Sequence, residues 1–214
     1  QIPPALKTII TARLIMNNPM FEEAERMGRW TEDIPDKLQF YEPMPDGGMA
    51  IPRGFARQLC YQAKKHKVAY VLDDQRRSLP EVNLDFIGKL KPCQQWAVND
   101  MLKRDFGTLA AATGAGKTVM ALAIIAARKQ PALVIVHTKE LLHQWIARIE
   151  TFLGIPASEI GIIGAGKKKK IGARITVGMV QTLCKMADEV TPHIGHVIFD
   201  ECHRTPSRTF TDAL

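Results

Sequence analysis

The sequence lacks any C-x-x-C pair: its four cysteines, Cys60, Cys93, Cys184 and Cys202, stand far apart in 214 residues. That spacing argues against a zinc or dithiol redox centre and for reduced, mostly buried thiols. His193 and His196 form an H-x-x-H with no second ligand pair nearby, so no metal site is expected there. No run of about 18 apolar residues occurs, which excludes a membrane-spanning helix, and the opening Q-I-P-P-A-L-K lacks the basic-then-apolar layout of a secretory signal. Internal repeats and coiled-coil heptads are also missing. An intracellular, cytoplasmic protein with enough apolar residues (46%) for a buried core is expected.

Charge is unevenly placed. Residues 1–85 have no excess of either sign, with 12 Lys and Arg against 12 Asp and Glu, so the remaining 17 against 10 carry the whole net charge of +7. A basic second part suits a polyanionic partner, although proteins that bind none often carry as much.

The rhythm of the chain divides at the same place. Residues 1–85 read as a small α+β domain. A β-rich stretch covers 5–15, and a helix begins at Pro19 behind Asn18 as N-cap. Leu38–Tyr41 and Met49–Ile51 flank a hairpin turn, a helix follows Pro52, and V-A-Y-V-L-D-D (68–74) suits a strand. The polar D-D-Q-R-R-S-L-P-E-V-N (73–83) is the linker candidate. Residues 86–214 then alternate helices with short, continuous β-branched strands, the pattern of a parallel sheet covered on both faces. The strands expected there are G-T-L-A-A-A, A-L-V-I-V-H, A-R-I-T-V-G-M-V and H-V-I-F-D-E.

Two motifs sit at strand ends in this second part. A-A-A-T-G-A-G-K-T (110–118) has Ala111 where a strict phosphate loop has glycine, but keeps Gly114, Gly116, Lys117 and Thr118 between a strand and a helix. In such a loop backbone N–H groups cradle phosphates, a lysine reaches the β and γ phosphates, and a hydroxyl holds Mg²⁺. V-I-F-D-E-C-H (197–203) ends a strand in two acids, Asp200 and Glu201, where ligands bind in parallel sheets. Asp200 suits Mg²⁺ and Glu201 suits orientation and deprotonation of an attacking water. Trp96 and Trp145 fall on helical apolar patterns and are read as core residues, and G-K-K-K-K (166–170) as a solvated loop.

Together these residues resemble the first RecA-like motor domain of superfamily 2 helicases and translocases. There the loop is commonly A-x-T-G-x-G-K-T, as at 111–118, and D-E-C-H belongs to the D-E-x-D/H set. The spacing and the R-T-P-S after D-E-C-H look most similar to XPB-like and phage UvsW-like DNA helicases and to restriction-enzyme motor subunits, proteins of bacterial or phage type among them. The resemblance implies a RecA-like P-loop NTPase fold behind the small α+β domain, which in relatives often engages DNA structure. It also implies an ATP site formed by Thr113, Gly114, Ala115, Gly116, Lys117 and Thr118, with Mg²⁺ on Thr118 and Asp200, water on Glu201, and His203 coupling the nucleotide to later motifs. L-K-P-C-Q (90–94) resembles the L-R-P-Y-Q of DNA-directed branches, with Gln94 at the adenine edge. V-I-V-H-T-K (134–139) and I-T-V-G-M-V-Q-T-L (175–183) resemble motifs Ia and Ib, implying that Thr138, Lys139, Gln181 and Thr182 touch nucleic-acid phosphates.

The resemblance further implies an ATP-dependent DNA helicase or translocase acting on single-stranded or branched DNA, with RNA helicase and ATP-gated scaffold subunit as alternatives. The chain ends within an expected helix, before the motif and second RecA-like domain that follow in such motors. It is therefore expected to be an N-terminal fragment that hydrolyses ATP poorly alone, since an arginine finger is worth about 10³–10⁵ in rate.

Overall fold

The computed structural model describes residues 2–169 and 171–202. It divides into two compact units, one ending at Asp74 and one beginning at Gln75.

The first unit opens with a helix, α1 (Pro4–Arg13), where the β-rich composition suggested a strand. Leu6, Ile10 and Leu14 recur every fourth residue and are buried with Ala63; burial of that stripe outweighs the β preference of the intervening Ile and Thr residues. Only β1 (Ile15–Asn17) is extended, and it pairs antiparallel with β2 (Lys37–Gln39). Leu38 therefore faces Met16, and the hairpin is made instead by β3 (Glu42–Pro43) and β4 (Met49–Ala50). Between β1 and β2 runs α2 (Pro19–Arg26), capped by Asn18, whose Oδ1 accepts the Met20 N–H at 3.0 Å. The helix after Pro52 is α3 (Ala56–Lys65). Residues 68–74 form no strand; Val68 alone among them packs on the unit's core.

Residues 75–90 are no free linker. The Arg77 guanidinium donates to Thr191 O, and Leu79 exchanges two hydrogen bonds of 2.9 Å with the Gln130 side chain. Val82 N–H donates to Lys129 O at 2.9 Å, Arg174 donates to Asn83 O at 3.0 Å, and Leu84 is buried in the core of the second unit. Phe86 stacks on Phe152 with ring centroids 6.0 Å apart. This strap leads into α4 (Pro92–Leu102) and then the segment 107–112, which has no regular secondary structure, so the strand expected there does not form. Its Leu109 and Ala111 pack against Val98, Met120 and Ile124.

The sheet follows from α5 (Lys117–Arg128), β5 (Ala132–Val136), α6 (Lys139–Leu153), β6 (Gly161–Gly164), β7 (Lys167–Lys169), β8 (Ile175–Met179), α7 (Val180–Leu183), α8 (Ala187–Val190) and β9 (His196–Phe199). Its order is β7-β6-β8-β5-β9, with four parallel strands and β7 antiparallel at one edge. All of β5 is buried: Ala132, Val134 and Val136 pack under α5 and α6, while Leu133 and Ile135 turn to α7 and α8. The α/β reading with helices on both faces therefore holds. Residues 167–169, expected in a loop, form the edge strand β7 instead; Lys170 lies outside the described residues. Strand β6, only G-I-I-G, was too short and glycine-bounded to stand out. None of the four cysteines is in a disulfide, but Cys93 and Cys202 are exposed and Cys60 and Cys184 only half-buried, which corrects the expectation of mostly buried thiols.

Two stability measurements follow from this packing. Leu84→Ala should lower the unfolding free energy by about 2–4 kcal/mol in urea, as for a core leucine; a loss within about 0.5 kcal/mol, typical of surface sites, would contradict the strap. His196 opens β9, and burial, then the positive charge of Arg128, pushes its imidazole down to about 4. An unfolded histidine titrates near pH 6.5, so between those values the unfolded chain binds the extra proton and stability falls as pH falls. The loss by pH 4 is at most about 3 kcal/mol, and His196→Gln should flatten the slope. An unchanged slope in that variant would assign the pH dependence elsewhere.

Candidate active site

The loop before α5 turns through two left-handed glycines, Gly114 (φ 80°) and Gly116 (φ 85°), the second being the N-cap of the helix. Only glycine adopts such angles cheaply. The turn closes with Ala115 N–H donating to Ala112 O, and the first-turn amides of α5 are left facing outward for an anion, as at any helix start. Thr113 and Gly114 are exposed; Ala115, Gly116, Lys117 and Thr118 are half-buried. A Cβ on Gly114 would meet nothing within 4 Å, so the outer side of the loop is open.

The inner side is held by Gln94. Its Nε2 donates to Ala115 O at 2.9 Å and its Oε1 accepts the Lys91 N–H at 2.9 Å, tying the start of α4 to the loop. A Cβ on Gly116 would come within 2.5 Å of that amide nitrogen. Among the described residues, one amide hydrogen and one lone pair of Gln94 are left without a protein partner. Lys117 Nζ donates to Ala111 O at 3.0 Å and Ala112 O at 3.4 Å, so its ammonium is folded onto the loop that a phosphate would occupy.

Asp200 follows β9, its backbone N–H donating to Ile135 O at 3.1 Å. Its Oδ2 accepts the indole N–H of Trp145 at 2.8 Å, and its Oδ1 accepts the Glu201 N–H at 3.0 Å. Glu201 is exposed with φ of 55°, a strained angle for a residue with a side chain. Thr118 and Asp200 line one cavity of about 370 Å³, together with Leu141, Gln144, Trp145 and Arg148. A hydroxyl and a carboxylate facing one space are the hard-oxygen donors that a small divalent cation takes, so the residues present fit Mg²⁺. His203 lies outside the described residues.

The remaining expected residues share the same sheet edge. Thr138 caps α6 by accepting the Leu141 N–H at 3.2 Å, and its hydroxyl also bonds Glu140. That bond, after the amide of Glu140 itself, holds the Glu140 carboxyl below its usual range. Thr138 is thus occupied by capping, while Lys139 is exposed. Gln181 is exposed and its Nε2 donates to His137 O at 3.4 Å, joining the start of α7 to the loop before α6; Thr182 is half-buried. Of the two tryptophans read as core, Trp145 is buried but Trp96 is 75% exposed. Helix α4 buries Gln94 and Val98, one turn apart, and Trp96 lies midway between them in sequence on the opposite side. What the sequence reading missed is the partner of Trp145: a buried indole N–H requires one, and that requirement was the available signal.

Residues 87–214 match the family described as "Type III restriction enzyme, res subunit". The "DNA 3'-5' translocase XPB2" of Sulfurisphaera tokodaii is 36% identical over 123 residues, covering 58% of this chain and 27% of that protein. Protein L396 of Acanthamoeba polyphaga mimivirus, provisionally named an ATP-dependent RNA helicase, is 31% identical over 140 residues, covering 62% of this chain and 26% of its own. The crystal structure of the UvsW helicase from bacteriophage T4 aligns over 100% of this chain and 82% of that one, with a TM-score of 0.67 and 18% identity, a likeness of fold. This chain spans about a quarter of the length of the curated relatives it matches.

The two loop glycines give a comparison with an internal control. Gly114→Ala and Gly116→Ala both incur left-handed strain of about 1–2 kcal/mol, but only the second strikes Gln94. Gly116→Ala should therefore be the more destabilising in urea, and the difference should vanish in a Gln94→Ala background. Equal losses in the wild-type background would show that Gln94 does not pack on the loop.

Proposed function

Because the chain belongs to the family of the type III restriction enzyme res subunit, as a superfamily 2 helicase or translocase segment with a first RecA-like domain, we propose that it binds and hydrolyses ATP to drive its parent protein along DNA. The observation that carries this reading is the meeting of Thr118 and Asp200 on one cavity beside an open, glycine-turned loop at a helix start.

The residues divide the work by their chemistry. Backbone amides from Thr113 to Thr118 take the phosphates, and Lys117 exchanges its two loop carbonyls for phosphate oxygens, a charge-assisted contact that is stronger than the neutral ones it replaces. Gln94 steadies the loop and offers its free amide hydrogen and lone pair to adenine. Thr118 and Asp200 would hold Mg²⁺, which would supply positive charge to offset the charge that develops on the phosphates. Glu201, exposed beside Asp200, orients the attacking water and takes its proton; His203 passes the state of the nucleotide to later motifs. Lys139 and Gln181, with Thr138 and Thr182 behind them, contact nucleic-acid phosphates, positioning the strand without reading its bases. A second RecA-like domain in the parent protein supplies the arginine that completes the site.

The substrate is DNA in this reading, supported by the L-K-P-C-Q stretch leading into Gln94 and by the name of the archaeal relative. RNA is the second reading, favoured by the name of the mimivirus relative. ATP hydrolysis by the intact parent protein separates them when measured with single-stranded DNA, forked DNA and RNA over a salt series. Stimulation by DNA that fades with salt is the expected result. Stimulation by RNA alone would replace DNA as substrate, and none by either, with ATP bound, would favour an ATP-gated scaffold. In the same assay Glu201→Gln should cut turnover by at least about 10² while leaving ATP binding within about threefold; loss of binding would contradict the role given to Glu201.

A further inference from the structure

Trp145 lies two turns into α6, 2% exposed, in the same buried core cluster as Leu142, Ile146 and Ile149. A buried indole satisfies its N–H wherever a partner offers itself, most often a backbone carbonyl. Here the partner is the carboxylate of Asp200, 55 residues away in sequence, at 2.8 Å. Glu201 N–H meets the other oxygen at 3.0 Å, so among the described residues each oxygen of Asp200 accepts one hydrogen bond.

We propose that Trp145 is a positioning residue for the cation site: its N–H locks the Asp200 carboxylate in the orientation that, with Thr118, receives Mg²⁺. The proposal rests on the reading of this cavity as an ATP site. An ionised carboxylate has about four lone-pair positions, and two are taken by these donors. The remaining pair is left for ligands, in the cavity that Thr118, Trp145 and Asp200 line together. Removing either donor would free the χ angles of Asp200 and let the carboxylate turn. Of the two donors, the backbone N–H of Glu201 moves with Asp200, since it belongs to the next residue. Trp145 alone of the pair is anchored elsewhere, in a rigid helix with its ring fixed by close packing. It therefore sets where the carboxylate sits relative to the phosphate loop, and not merely how it is rotated.

The same helix begins at Thr138 and Lys139, the residues assigned to nucleic-acid phosphates, seven positions before Trp145. At a rise of about 1.5 Å per residue that is roughly 10 Å along one rigid element. The metal-holding carboxylate and the nucleic-acid loop are thus tied to a single body.

The test compares Trp145→Phe with replacement of Trp145 by 3-benzothienylalanine, which keeps the bicyclic ring but puts sulfur in place of the N–H. Binding of a fluorescent ATP analogue to the chain is measured in EDTA and across a Mg²⁺ titration, with thermal unfolding as a check on folding. Partners that orient a metal ligand are worth about 10- to 100-fold in metal affinity, so the half-saturating Mg²⁺ concentration should rise at least about tenfold. Affinity in EDTA should change less than about twofold, because the phosphate loop is untouched. Should the benzothienyl variant match the parent in its Mg²⁺ dependence, or lose affinity equally with and without Mg²⁺, Trp145 is only a core residue and the proposal is wrong. If the unaltered chain shows no Mg²⁺-dependent nucleotide binding at all, the reading of the site fails first, and this inference goes with it.

Discussion

The candidate residues at the strand ends depend on the parallel register of one buried strand with its two neighbours. Val136 at the end of β5 lies opposite Met179 at the end of β8, and Ile135 lies opposite Phe199 at the end of β9. Three strands therefore finish level at one edge, and the chain leaves each within two residues of a functional group: Thr138 and Lys139 after β5, Gln181 and Thr182 after β8, Asp200 and Glu201 after β9. A slip of one residue in any strand would turn its core side chains to the wrong face, so the burial that fixes the register also fixes the site. Parallel strands need helical crossovers, and α6 and α5 both serve as cover and carry the other half of the chemistry, Trp145 and the phosphate loop.

The opposite edge is organised by different forces. There the strap from Gln75 to Leu90 is held by Gln130, Lys129, Thr191 and Arg174, all near the starts of strands or the ends of helices, where backbone groups would otherwise lack partners. Its polar composition suits those partners, and Leu84 and Phe86 supply the apolar contacts that anchor it. From there the chain enters α4, whose Gln94 supports the phosphate loop, so the strap and the loop are successive stations of one path.

Much of this was legible in the residues. The alternation of β-branched runs with amphipathic helices identified the sheet, A-T-G-A-G-K-T placed its glycine turn at a helix start, and D-E-C-H placed Asp200 and Glu201 at a strand end, whereas the strand expected before the loop does not form. Asn18, Pro19 and Thr138 announced their caps. Four features were not legible, each for a local reason. The helix α1 has a β-rich composition, and its four-residue burial period shows only once Ala63 is known to face it. The strap looked like a linker because polar residues satisfying backbone groups cannot be told in sequence from polar residues facing water. Trp96 and Trp145 sit in similar helical contexts, yet one faces out and one in, because α4 is covered on one side only while α6 lies over the sheet. The tie from Trp145 to Asp200 spans 55 residues and two elements, and nothing local in either sequence implies it.

The central claim is that the loop at 113–118, steadied by Gln94 and backed by Asp200, is built for a chain of phosphates. Calorimetric titration of the chain with ATP and with AMP, both in Mg²⁺, tests it directly. Each charge-assisted contact to a phosphate is worth about 1.5–3 kcal/mol, so loss of the β and γ groups should weaken binding by about two orders of magnitude or more. Equal affinity for the two nucleotides, or none for either, would contradict the account.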